Sequence, residues 1–258
     1  MILAGLKTLV RAFTILCFFC FLFVLPVQAG DETDPNPFNL PERVMAMPKE
    51  LRSGQVFQGY PQLSAQVKWY SIPSGLAGDW ISKSQRVLRK DDFESGSYYT
   101  IPTVEHDTVV VHLGDMTDAN GGVWHALISP EIQDYQKQQF LDSQNTISIK
   151  MLEQSANHVL IWSRVFHIIY NPQNYRIFSS FTEERVRQFE ILSSTRLVCR
   201  SYLRLYDAEG YVQMSAQTLR TFSLQKKYQP LNERSGINLP SSLASHLQYI
   251  GHHDLISW

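Results

Sequence analysis

The stretch RLVCRSYLRLYDAEGYVQMSAQTLRTF, residues 196–222, decides the fold class. Its two halves, 196–206 and 211–222, are rich in Val, Leu, Tyr, Phe and Thr, and apolar and polar positions alternate along them. Between the halves stand Asp207, Ala208, Glu209 and Gly210, a run of turn formers. Period-two alternation on both sides of a short polar loop is the pattern of a β-hairpin.

Working outward, the same texture recurs in residues 80–89, 108–113, 123–128, 146–154, 158–169 and 185–192, which makes eight predicted strands within residues 75–222. Asp118 to Gly122, Ser155 to Asn157 and Asn171 to Asn174 supply turn chemistry at three of the junctions. Only residues 130–141 look helical, with Pro130 at a first-turn position and Ile132, Tyr135, Gln136 and Gln139 at helical spacing; a polar connector is the other reading. Consecutive strands joined by short loops give an antiparallel meander, and a meander of eight tends to close into an up-and-down barrel that removes its edges. An open or sandwich-like antiparallel sheet also fits the count.

The ends of the chain differ from its middle. Residues 1–29 have the layout of a secretory signal peptide: Lys7 and Arg11 without an acidic residue, an apolar run from Ala12 to Pro26 containing five Phe, and a small-x-small cleavage site at Val27, Gln28 and Ala29. The expected exported chain starts at Gly30 and works outside the cytoplasm, secreted or periplasmic, with no membrane-spanning segment left after cleavage. Residues 30–74 are broken by Pro35, Pro37, Pro61 and Pro73 and read as an irregular arm and lead-in, and 223–258 read as a C-terminal extension with a helical turn or two at 243–250. Cys17 and Cys20 leave with the leader, so Cys199 stands alone and no intrachain disulfide is expected; the domain rests on its own core.

The whole chain has a formal charge of −1, and loss of Lys7 and Arg11 takes it to −3. A near-neutral chain with interspersed signs argues against nucleic acid as a partner. No Gly-x-Ser-x-Gly elbow, phosphate-binding glycine loop or paired metal-ligand spacing is present, so the sequence assigns no catalytic residue, no metal and no cofactor. His106, His112, His125, His158 and His167 fall in or beside strands, and His252, His253 and Asp254 form a local cluster in the tail.

Gly78, Asp79 and Trp80 open the first strand of the meander, and Arg220 lies near the end of the eighth. This arrangement resembles the lipocalins and their calycin relatives. The resemblance implies that Gly78 and Trp80 close one end of a barrel, that Arg220 packs across the indole, and that the interior holds a small apolar or amphipathic molecule. Alternation places Trp80 with Ser84 and Arg86 on one strand, and Trp162 with Arg164 and Phe166 on another, as mixed apolar and polar positions that fit a partly polar lumen around a ligand. They fit a filled barrel equally well. The expectation is therefore a non-catalytic binding protein, with a structural or adaptor protein of the cell envelope, engaging another protein through the exterior and the arms, as the alternative.

Overall fold

The computed structural model describes residues 38–61, 64–99 and 102–256. The expected leader, and the arm as far as residue 37, lie outside the described residues. The described chain is all-β and antiparallel, with strands β1 (Gln66–Ile72), β2 (Gly78–Ser82), β3 (Gln85–Asp92), β4 (Ser97–Tyr99), β5 (Thr103–Glu105), β6 (Val109–Leu113), β7 (Met116–Thr117), β8 (Val123–Ser129), β9 (Glu131–Lys137), β10 (Phe140–Gln154), β11 (His158–Tyr170), β12 (Ile177–Ser193), β13 (Arg196–Tyr206), β14 (Val212–Lys227), β15 (Glu233–Arg234) and β16 (Ile237–Asn238). One α-helix among the described residues, α1 (Leu239–Tyr249), follows.

The turn residues do what their chemistry requires. At the β13–β14 corner the Asp207 carboxylate accepts from the backbone N–H of Glu209 and Tyr211, 3.0 and 2.8 Å away. At the β11–β12 corner Asn171 and Asn174 accept in the same way from Gln173 and Arg176.

At one end of the sheet consecutive strands share a row: β2 and β3 both pair with β14, while β6 pairs with β2 and both β4 and β5 pair with β3. The large sheet is thus eight rows wide, in the order β4–β6, β2–β3, β14, β13, β12, β11, β10, β9. Its path is open, with the β4–β6 row and β9 as its two ends. Cross-strand partners fix its two faces. Trp162, Val186, Tyr202 and Gln217 lie in one line on the outer face, and Val159, Phe189, Cys199 and Arg220 in another on the inner face.

A second sheet, β1–β8–β7, covers part of the inner face. Its Ile72, Val123 and Leu127 join Trp80, Val159, Phe189, Leu197 and Phe222 in the largest apolar cluster. On its far side Trp69, Trp124, Ala126 and Ile128 meet Leu239, Leu243 and Leu247, a single stripe of α1. Central β8 is therefore buried on both faces, which is why Val123 to Ile128 reads as an almost unbroken apolar run.

Part of the outer face is covered by the arm. Leu40 packs on Val186 and Tyr202, and Met47 and Leu51 pack on Phe166, Ile168, Tyr170 and Ile177. Residues 38–61 carry no strand of their own beyond two isolated bridges, Arg43 to Tyr211 and Val56 to Arg176, so the arm is irregular as expected yet firmly seated.

Several boundaries depart from the sequence reading. Residues 131–137 are strand β9, neither helix nor connector: Glu131 to Lys137 pair in register with Thr146 to Phe140, and without them the first half of β10 would be a bare edge. Strands β10 and β12 begin earlier than their apolar portions, at Phe140 and Ile177, because polar residues face the interior there. The 123–128 strand belongs to the second sheet, so the eight-strand meander is not consecutive in space. Sheet material also extends on both sides of the expected 75–222 span, as β1 and the end of β14.

Candidate ligand-binding cavity

The inner face lines a partly open cavity of about 200 Å³. Its lining comes from β6 (Val109, Val111), β3 (Gln85), β14 (Thr218, Arg220, Phe222), β13 (Cys199, Ser201, Leu203) and β12 (Arg185, Arg187, Phe189), with Asp107 from the loop before β6. Rows β6 and β12 are four steps apart, about 19 Å in a flat sheet, whereas a round cavity of this volume is about 7 Å across. The large sheet must therefore roll around it.

Register explains why three guanidiniums meet there. Arg187, Ser201 and Thr218 are successive cross-strand partners, and Phe189, Cys199 and Arg220 form the next line, so period-two alternation turns all of them inward. Two of the cations are matched. Arg220 donates to both Asp107 carboxylate oxygens at 2.9 and 2.7 Å and to the Gln85 side-chain Oε1 at 2.9 Å. Arg185 donates to Glu183 at 2.7 Å. No hydrogen bond or ion pair among the described residues reaches Arg187: its Nε is buried without an acceptor, and the guanidinium lies 5.8 Å from the centre of the Phe189 ring. Burial, followed by repulsion from Arg185, lowers the Arg187 pKa from its ordinary value. A guanidinium starts so high on the scale that it stays charged.

Cys199 shares this cavity with its Sγ 3.5 Å from the Ser201 hydroxyl. Burial pushes the thiol pKa up, which keeps it protonated and a poor nucleophile. Farther along the inner face Asp142 accepts from Lys137 at 2.6 Å and stands 3.3 Å from His167 Nδ1. The His167 ring stacks on Phe181 with centroids 4.5 Å apart. A second, open cavity of about 720 Å³ lies at that end of β12, β13 and β14, against Phe181, Leu205 and Met214.

A separate charged cluster sits where β6, β7 and β8 meet. Asp115, with no exposed surface, accepts from the Ala126 N–H at 2.8 Å and faces His125 Nδ1 at 2.6 Å. Arg234 spans Asp115 and Glu131, at 3.2 and 3.1 Å. His112 faces Asp79 at 2.6 Å through Nδ1, but its Nε2 is buried 3.7 Å from Asp115. Through Asp79, Asp115, His125 and Arg234 the cluster ties β2, β6, β8 and β15 together as a brace. Among the described residues no group of His, Cys, Asp and Glu is placed to hold a metal ion.

The residues singled out in sequence are divided by the sheet. Trp80, 1% exposed, lies in the inner cluster with its indole N–H donating to the Leu76 carbonyl at 2.7 Å. Gly78 adopts φ +142°, and a Cβ there would stand 2.8 Å from the Lys226 carbonyl oxygen, so the glycine of the Gly-x-Trp opening is a steric requirement. Arg220 reaches the cavity, but its guanidinium is held by Asp107 and Gln85, and no cation stacks on Trp80 among the described residues. Ser84 sits at the bend between β2 and β3, its carbonyl accepting from the Ser82 hydroxyl. Exposed Arg86 pairs with Leu219 on the outer face.

Trp162, Arg164 and Phe166 are outer-face residues too. Lys150 and Arg164 flank the Trp162 ring at 5.0 and 5.4 Å, Arg164 donates to buried Glu184, and Phe166 lies beneath the arm. The structure thus brings Trp80 and Arg220 to one face and leaves Trp162, Arg164 and Phe166 on the other. Sequence reasoning passed over Arg185 and Arg187. Their signal was the alternation Glu183, Arg185, Arg187, Phe189, which puts four charged or aromatic residues on one face of a strand whose other face is anchored by Val186. Compared with protein families, curated proteins and solved structures, the chain matches none.

Proposed function

We propose that this chain is an extracytoplasmic, lipocalin-like container whose rolled sheet binds a small amphipathic molecule and performs no chemistry on it. The observation that carries this reading is the cavity under Arg187 and Arg220, where apolar Val109, Val111, Phe189 and Phe222 stand beside polar groups aimed inward. The buried, protonated thiol in this cavity supports binding over catalysis. The leader layout of residues 1–29 supports the compartment.

The adaptor reading draws on Phe93, Tyr98, Val104 and Val110, which are exposed along the β3–β6 rows and offer apolar surface to a protein partner. Native mass spectrometry of protein purified from its own source separates these possibilities. A retained small molecule on a chain that starts at Gly30 is the expected result. A ligand-free chain carrying a protein subunit favours the adaptor, and a chain that starts at Met1 removes the export proposal.

A further inference from the structure

We infer that the outer face of the large sheet, at the end the arm leaves bare, rests on an anionic lipid surface, whatever the inner cavity contains. Val104, Arg86, Leu219 and Arg200 are successive cross-strand partners from β5 to β13. They form a line about 14 Å long on which cations alternate with apolar side chains. Both arginines are exposed, and no hydrogen bond, ion pair or ring contact among the described residues reaches either side chain. Exposed Lys83 stands at the neighbouring β2–β3 bend. The carboxylates nearby are engaged elsewhere: Arg89 and Ser215 hold Asp91, Arg220 holds Asp107, and Glu105 accepts from Gln85. Glu190 stands diagonally across from Arg200 without forming an ion pair with it. The near-neutral total charge of the chain thus conceals a local basic face.

Tyr98, Val104 and Val110 add apolar surface to it, being 71, 57 and 55% exposed. Val110 points outward because Val109 and Val111 turn into the cavity. Tyr98 stands in line with Asp91, Ser215, Arg204 and Glu184, whose next partner is outer-face Arg164. Unpaired cations beside aromatic and aliphatic side chains suit a lipid interface: the cations meet phosphates while the apolar groups enter the head-group layer. Shape favours a membrane over an acidic peptide. The sheet rolls around the inner cavity, so this face is convex, and neither cavity described above opens on it. A deformable anionic plane fits a convex face, whereas an extended peptide finds no groove there.

Co-sedimentation of protein purified from its own source tests this, with vesicles of mixed phosphatidylglycerol and phosphatidylcholine against vesicles of phosphatidylcholine alone. Binding to the anionic vesicles is expected to be about tenfold or more tighter, and to be lost at about 0.5 M salt, where the screening length falls to a few ångströms. Each basic side chain near an anionic surface contributes about fivefold, so Arg86→Gln combined with Arg200→Gln is expected to weaken binding about twentyfold. Both side chains are exposed, so the melting temperature should hold. Removing the same charge elsewhere, by Lys68→Gln on β1 with Arg176→Gln at the β11–β12 corner, is expected to leave binding within about threefold of the parent. Equal binding to both vesicle types, binding to neither, or equal loss in the two double variants overturns the assignment. A protein that ignores vesicles but retains an acidic protein, released by Arg86→Gln with Arg200→Gln, overturns it too and gives the face to a protein partner.

Discussion

Trp80 loses two things at once when truncated: the volume it fills among Leu76, Phe189 and Phe222, and the indole donor that satisfies the Leu76 carbonyl. Trp80→Ala should cost about 3 to 5 kcal/mol. Thermal or denaturant melts read this directly, and a midpoint within a degree or two of the parent would remove Trp80 from the core. Arg220→Lys should do far less, because the fork it gives up faces half-exposed Asp107, and ion pairs open to water contribute about 1 kcal/mol or less. The Gly-x-Trp opening could be read from sequence because both residues answer local demands, a φ that only glycine takes easily and a large apolar side chain on an alternating strand. The partner of Arg220 could not be read. Asp107 is 113 residues away in a loop, where nothing in the local pattern distinguishes it from a solvated carboxylate.

At the level of elements, the arm shows what composition conceals. Its prolines and acidic residues point away from regular structure, but Leu40, Val44, Met47 and Leu51 stand in it four, three and four residues apart, and each is buried. That spacing matches one face of a helix, but Pro41 and Pro48 stand among these residues and the backbone is not helical, so the period did not reveal that the residues dock on a sheet. The seat is specific: Val44 N–H donates to the Gly210 carbonyl and Met47 N–H to that of Ala208, both at 2.9 Å. A Cβ on Gly210 would come within 2.2 Å of the Val44 oxygen, so the turn glycine of the β13–β14 hairpin also makes room for the arm. Met47→Ala should destabilise the whole domain by about 2 to 5 kcal/mol, the range of a core methionine rather than a loop residue. Limited proteolysis and a melt check it together: a parent-like midpoint would show that the arm is an ornament. Strand β9 was misread for a related reason. Its residues are almost all exposed, so no hydrophobic period marks it, and it is a strand only because β10 needs a partner.

Across the whole molecule, buried carboxylates set the response to acid. Burial works to raise the Asp115 carboxyl, but the hydrogen bond and charge of His125, with Arg234, outweigh it and hold the pKa down at about 2. Burial likewise opposes the charged form of Asp142, and His167 and Lys137 prevail, holding it well below the usual carboxylate range. Folded values below the unfolded value of about 3.9 mean stability that is present above pH 4 and is lost as pH falls through the folded values. Urea unfolding free energies should therefore be level near neutral pH and drop steeply between about pH 4 and 2. Asp115→Asn should lower the neutral value and flatten that slope; an unchanged slope would mean that the brace carries no linkage. The rolled sheet has one more consequence, in time rather than space. Row β2–β3 finds its main partner in β14, with Asp79 opposite Lys226, so the first row of the large sheet to be made is joined to the last. At roughly 5 to 20 residues per second, about 7 to 30 s pass between their syntheses, during which Trp80 and Val87 have only the short strands β4–β6 to pair with. A nascent chain of this topology cannot close behind itself as it emerges, and it stays threadable until its final hairpin arrives.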